Sequence, residues 1–245
     1  MRIGIIGGSA LSRLQLDDSS KRMLNTPYGA PSCPVTFGKC AGNDIVFLPR
    51  HGMSHTIAPH EINYRANIYA LAQLEVTHII AISAVGGITD KMSPMKLVIP
   101  DQIIDYTYSR KNTYHEPGDG PVDHVDFTYP YDEQTRQHLI RSCTELGIDH
   151  AGHGTYGATQ GPRLETAAEI RRLKQDGCDI VGMTGMPEAV LARELGIRYT
   201  TISIVVNWAA GVLPDTIISL DEIHENLRSG NERIMRLLSH ALPAL

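Results

Sequence analysis

Four short stretches carry residues suited to holding an anion. Ile5-Ile6-Gly7-Gly8-Ser9 runs an apolar segment into two glycines and a hydroxyl. A tight turn of this kind gathers backbone N–H groups and the Ser9 hydroxyl around one point, where an anion can sit. Phe47-Leu48-Pro49-Arg50-His51-Gly52 ends a second apolar segment in a planar guanidinium fork matched to phosphate, with His51 offering a donor beside it. Ile82-Ser83-Ala84-Val85-Gly86-Gly87 and Gly182-Met183-Thr184-Gly185-Met186-Pro187-Glu188 each add a hydroxyl among small residues. Each stretch alone is as well explained by a plain strand and turn. Together they imply one anion site built from several loops, at the carboxyl edge where open α/β sheets bind ligands.

Other chemistries fit less well. The first stretch lacks the third glycine of a dinucleotide fingerprint, and no acidic strand end follows about twenty residues on. No Ser-His-Asp or Cys-His arrangement stands out as a nucleophilic centre. Lys+Arg 22 against Asp+Glu 27 gives a net charge of −5, and the densest basic group is only Arg171-Arg172 with Lys174. That balance argues against electrostatic attachment to nucleic acid. Cys33, Cys40, Cys143 and Cys178 show no metal-like or redox-like spacing and read as reduced thiols of a cytoplasmic protein. The opening MRIGIIGGSA lacks a basic region followed by a long apolar stretch, so no signal peptide is expected. No apolar run approaches the roughly 18 residues of a membrane span.

The elements that must position these residues alternate. Arg2–Ile6, Asp44–Leu48, His78–Ser83, Asp179–Met183 and Tyr199–Val206 are short Ile/Val-rich runs bounded by Gly, Pro or Asn, and are predicted as buried strands. Helical periods cover about Asn63–Leu74, Glu133–Leu146, Glu165–Gln175, Glu188–Leu195 and Leu220–Leu242. The alternation predicts an α/β fold: a single domain, residues 1–245, with a central mixed, largely parallel twisted sheet flanked by helices. Ser109–Tyr131 has no clear period but holds several Asp, His and aromatic residues. A loop of that length in a compact domain is usually functional or a contact surface.

The combined motifs Ile5-Ile6-Gly7-Gly8-Ser9, Arg50-His51-Gly52, His55-Thr56-Ile57, Asn63-Tyr64-Arg65-Ala66-Asn67-Ile68, Gly161-Pro162-Arg163 and Met183-Thr184-Gly185-Met186-Pro187-Glu188 resemble the 5′-methylthioadenosine phosphorylase branch of the trimeric purine nucleoside phosphorylase family. The likeness runs from about Arg2 to the last helix. It implies phosphorolysis of a purine nucleoside with inorganic phosphate as co-substrate, no metal and no organic cofactor. It also implies that Ser9, Arg50, His51, Ser83, Ala84 and Thr184 hold phosphate and that Met183 lies under the ribose. A homotrimer is expected, with a hexamer as the other assembly, and His124 of the long loop would reach a neighbouring copy's site.

Departures from that branch concern the base. Its Thr-Asp-x-Asp strand end is replaced by Val206-Asn207-Trp208-Ala209, an amide for the first carboxylate and a methyl for the second. Gly161-Pro162-Arg163-Leu164-Glu165-Thr166 carries Glu165, as the inosine/guanosine enzymes do, where the adenosine type has a small residue. A 6-oxopurine presents an N1–H donor to an ionised carboxylate, while O6 and N7 suit an amide that both donates and accepts. An adenine presents an N1 lone pair instead, and a mismatch of that kind costs about 1–3 kcal/mol per buried group. The plainer reading of Glu165 is a carboxylate favoured at a helix start by the dipole.

The groups expected to act on the reacting molecules are therefore Asn207, Glu165, Arg50 and His51, with Met183, Leu164, Leu220, Ile223 and His124 enclosing the nucleoside. Leu220 and Ile223 would form an apolar wall favouring a 5′-methylthio group over a hydroxyl; the plainer reading makes them the buried stripe of the last helix. The expected reaction converts 5′-methylthioinosine and phosphate to hypoxanthine and 5-methylthioribose 1-phosphate. A 5′-methylthioadenosine phosphorylase and an inosine/guanosine phosphorylase are the alternatives.

Overall fold

A computed structural model describes residues 2–11, 14, 16–214 and 217–245. Among them, eleven strands join into one mixed sheet: β1 (Ile3–Gly7), β2 (Asp17–Arg22), β3 (Val35–Cys40), β4 (Asn43–Pro49), β5 (His78–Gly87), β6 (Leu97–Val98), β7 (Gln102–Asp105), β8 (His150–Ala151), β9 (Thr155–Ala158), β10 (Ile180–Gly182) and β11 (Arg198–Trp208). Five α-helices, α1 (Tyr64–Gln73), α2 (Glu133–Glu145), α3 (Ala167–Gln175), α4 (Glu188–Glu194) and α5 (Leu220–Ala241), cover it.

β5 is the hub because its side chains are apolar on both faces. Ile79 and Ala81 belong to one core, with Ile68, Leu71, Ala189 and Leu191 of α1 and α4. Ile80 and Ile82 belong to the opposite core, with Leu139, Ile234, Leu237 and Leu238 of α2 and α5. A strand buried on both faces must read as a continuous apolar run, as this one does. Truncating such a side chain to Ala costs about 2–5 kcal/mol.

The sheet opens where the ligand motifs lie. β1 runs parallel to β5 from Ile3↔His78 to Ile6↔Ala81 and then leaves it. Beyond that point β11 stays beside β5, and β10 joins antiparallel at Gly86 and Gly87. The crevice between diverging strand ends is the place such sheets use for ligands. Gly8 stands at its mouth, where an added Cβ would lie 2.6 Å from the Ile82 carbonyl oxygen and 2.8 Å from Arg50 Nη1. Only a residue without a side chain lets the backbone come so close.

The predicted strands and helices form within a few residues of the expected bounds. α3 starts later: Thr166 is its N-cap, and Glu169 closes the capping box. Glu165 thus stands outside the helix, and Glu169 takes the dipole-favoured position. No helix is long and apolar enough to cross a membrane among the described residues. Within 109–131 no strand or helix forms, yet the segment is tied down. The Tyr114 N–H donates to the Glu194 carboxylate (2.7 Å), its hydroxyl donates to the Arg65 carbonyl (3.0 Å), and Arg65 pairs with Glu116.

Candidate active site

A cavity of about 360 Å³ occupies the crevice. Its wall brings together Ser9, Arg50, His51, Ser83, Ala84, Leu164, Glu165, Met183, Thr184 and Asn207, which the sequence scatters over nearly two hundred positions. Its size lies at the small end of the range for small-molecule sites.

Arg50 lies on the side of the cavity expected to take an anion. It is 1% exposed and forms a two-pronged ion pair with Glu188, Nε to Oε1 at 2.6 Å and Nη2 to Oε2 at 2.8 Å. Nη1 donates to the Ile82 carbonyl at 3.0 Å. Three of the five guanidinium N–H groups are so used, and two remain for a ligand. Burial opposes the charge, but the Glu188 carboxylate overrides it and raises the Arg50 pKa. Tyr199 donates its hydroxyl to Glu188 Oε2 at 2.9 Å, so the carboxylate is itself fixed.

His51 behaves differently from the donor expected of it. Its Nδ1 lies 2.8 Å from the Ile57 carbonyl, which can only accept, so this nitrogen carries the proton. Burial, and then the Arg50 charge, lower the His51 pKa to about 4. The neutral ring therefore offers Nε2 as an acceptor, which corrects the reading of His51 as a second donor. His55 packs against it with ring centroids 4.4 Å apart and the planes tilted by 40°, and its Nε2 lies 3.3 Å from Ser9 Oγ. Burial and Arg50 lower the His55 pKa as well.

Ser83 Oγ pairs with Ser203 Oγ at 2.8 Å, which engages the hydroxyl expected to face an anion. Thr184 donates its N–H to the Tyr156 hydroxyl at 3.4 Å.

A β-bulge aims Asn207. β11 follows β5 residue for residue to Val205↔Val85, then skips Val206 so that Asn207 opposes Gly86. Bulges near sites commonly redirect a side chain. The Val206 carbonyl, left out of the register, accepts from Asn226 Nδ2 of α5 at 2.8 Å. Asn207 Nδ2 donates to the Trp208 carbonyl at 2.7 Å, which leaves Oδ1 and one N–H for a ligand. Ala209, 5% exposed, shares the wall. Glu165 accepts from Thr159 Oγ1 at 2.6 Å.

Three expected residues lie elsewhere. Leu220 is 65% exposed at the head of α5, and Ile223 packs against the core under that helix; neither lines the cavity, whereas Ile218 does. Ile218 lies in the irregular segment before α5, which has no periodic pattern to mark it. His124 is exposed and outside its own chain's cavity. Sequence reasoning gave no role to Glu188, His55, Ile57 or Ile218, although all but Ile218 stand in the motifs that carry the resemblance. A buried acid for a buried Arg was the signal available for Glu188.

Residues 2–243 match the family model described as the phosphorylase superfamily. A protein of Xanthomonas campestris pv. campestris named "Probable S-methyl-5'-thioinosine phosphorylase" is 46% identical over 96% of this chain and 95% of its own length. A 6-oxopurine nucleoside phosphorylase of Pyrococcus furiosus is 44% identical over 100% of this chain and 93% of its own. Methylthioadenosine phosphorylase from Schistosoma mansoni in complex with adenine superposes with a TM-score of 0.93 at 32% identity, covering 99% of this chain and 91% of that one. With the family model spanning nearly the whole chain and the fold shared throughout, this protein belongs to the phosphorylase superfamily.

Proposed function

We propose that the enzyme cleaves S-methyl-5′-thioinosine with inorganic phosphate, giving hypoxanthine and 5-methylthioribose 1-phosphate, without metal or organic cofactor. The observation that carries this reading is one cavity lined by both Arg50 and the pair Glu165 and Asn207, with Ala209 in place of a second acid. The Xanthomonas relative's name points the same way, and the Pyrococcus relative's name agrees for the 6-oxopurine base alone.

Each group has a task in the reaction. Phosphate oxygen bonds to C1′ as the C1′–N9 bond breaks, and the bond's electron pair leaves with the purine. The two free N–H groups of Arg50 and the Gly8–Ser9 turn hold the phosphate close to C1′, so positioning and charge supply the acceleration. His51 Nε2 accepts a hydrogen bond from the P–OH of hydrogen phosphate and so orients its charged oxygens; the proton that the phosphate gives up on becoming an ester is taken up by the leaving purine, which yields neutral hypoxanthine. Asn207 donates to the N7/O6 edge as negative charge arrives there, and Glu165 accepts from N1–H. Met183 forms the floor under the ribose. Ile218 and Ile57, both on the cavity wall, supply the apolar surface for the 5′-methylthio group.

The enzyme works as a cytoplasmic homotrimer in this reading, with the exposed His124 of one copy closing the site of the next. The Pyrococcus relative's name favours a second reading, a 6-oxopurine nucleoside phosphorylase accepting a 5′-hydroxyl. The test is turnover of methylthioinosine with and without phosphate, followed by phosphorus NMR. Phosphate-dependent formation of a sugar 1-phosphate is expected. Hypoxanthine released equally fast without phosphate would make the enzyme a hydrolase and contradict the reading.

A further inference from the structure

Glu165 stands between two cavities. It lines the active-site crevice, and it also lines an outer cleft with Arg163 and Arg172. Those two arginines are engaged elsewhere, Arg163 with Glu169 at 2.7 Å and Arg172 with Asp176 at 3.7 Å, so neither fixes Glu165. Thr159 does: its Oγ1 donates to Glu165 Oε1 at 2.6 Å. A hydrogen bond to a charged acceptor this short is among the stronger ones a neutral hydroxyl makes.

Thr159 is itself firmly seated. Its N–H donates to the carbonyl of Gly182, the last residue of β10, at 2.8 Å. Its carbonyl accepts from Arg110 Nη2 at 3.2 Å. Arg110 also donates to the carbonyls of Gln160 (2.8 Å), Met183 (2.8 Å) and Met186 (2.7 Å), and to the Tyr64 hydroxyl (3.1 Å). Its charge is thus set against carbonyl dipoles of the two loops that form the ribose and base walls.

We infer that Thr159, seated by Arg110, is a positioning residue that holds the Glu165 carboxylate into the crevice and thereby sets the preference for 6-oxo over 6-amino purines. This rests on the reading of Glu165 as the group that meets N1–H. With Oε1 engaged by Thr159, Oε2 is left to accept from the base N1–H. Adenine gains nothing from a carboxylate at N1, so its turnover is insensitive to how Glu165 points.

The experiment compares Thr159→Val, which keeps shape and removes the hydroxyl, with Thr159→Ser, which keeps the hydroxyl. For Thr159→Val, kcat/KM on methylthioinosine is expected to fall about 10- to 100-fold, while kcat/KM on methylthioadenosine and KM for phosphate change less than about twofold. Thr159→Ser is expected to stay within about threefold of the parent on both nucleosides, because the donor remains. Equal losses on both nucleosides would overturn the inference and make Thr159 a general structural residue. So would an unchanged Thr159→Val in an enzyme whose preference Glu165→Gln abolishes. If Glu165→Gln leaves base preference untouched, the reading of Glu165 fails, and this inference with it.

Discussion

Arg50 and Glu188, 138 positions apart, meet in a fully buried two-pronged ion pair behind the cavity wall that Arg50 lines. The pair joins the end of β4 to the start of α4, and Tyr199 of β11 completes it. Breaking a buried pair by removing one partner leaves an uncompensated charge and costs about 3–5 kcal/mol. Glu188→Gln is expected to destabilise towards the lower end of that range and to raise KM for phosphate about tenfold or more, with the nucleoside KM nearly unchanged. Denaturant unfolding and initial rates over a phosphate series check both parts. Parental stability with a parental phosphate KM would remove Arg50 from the anion site.

The base site is exchangeable if Glu165 and Asn207 read it. Asn207→Asp combined with Glu165→Ser is expected to move the ratio of kcat/KM for methylthioadenosine over methylthioinosine upward by about 100-fold or more, since two hydrogen-bonding groups change their match. Side-by-side initial rates measure it. An unchanged ratio would contradict the assignment of both residues.

His51 ties stability to pH. The unfolded ring titrates near 6.5 and the folded ring near 4, because burial and then Arg50 disfavour its charged form. Between those values the unfolded chain binds the extra proton, so stability is full above about pH 6.5 and falls as pH drops towards 4. That difference in proton affinity between the folded and unfolded ring amounts to a loss of about 3 kcal/mol. His51→Gln is expected to flatten that part of the curve, which denaturant titrations from pH 4 to 7 would show. A slope equal to the parent's would mean that His51 is protonated in the folded enzyme.

The sugar's 5′ group is expected to meet Ile218. Ile218→Ser should lower kcat/KM for methylthioinosine about 10- to 100-fold and shift preference towards inosine, as expected for one apolar contact in a pocket. Competition between the two nucleosides reads the ratio directly. A variant that keeps the parental ratio would place the methylthio group elsewhere.

The sheet was legible because buried strands write themselves as unbroken Ile/Val runs. Ile79–Ile82 of β5, at 1% exposure or less, is an example. β2 was not legible, since all six residues of Asp17–Arg22 are exposed and mostly polar. Charged, exposed edge strands carry no hydrophobic period for the eye to find. Glu165 and Asn207 were singled out by their types, and both line the cavity, but what aims them was not legible. The bulge at Val206, the Asn226 that answers its carbonyl, and the Thr159 hydroxyl depend on register and tertiary approach. Leu220 and Ile223 show the opposite case: a helical apolar pattern stood out, while Ile218, in an irregular segment, lines the cavity.

If Glu165 and Asn207 read a 6-oxopurine and Ile218 meets a methylthio group, the crevice selects its substrate at both ends. Initial rates with phosphate on methylthioinosine, methylthioadenosine, inosine and adenosine, measured side by side, test this most directly. Methylthioinosine is expected to be the fast substrate and the other three slow. Methylthioadenosine turned over as fast as methylthioinosine would contradict the roles given to Glu165 and Asn207.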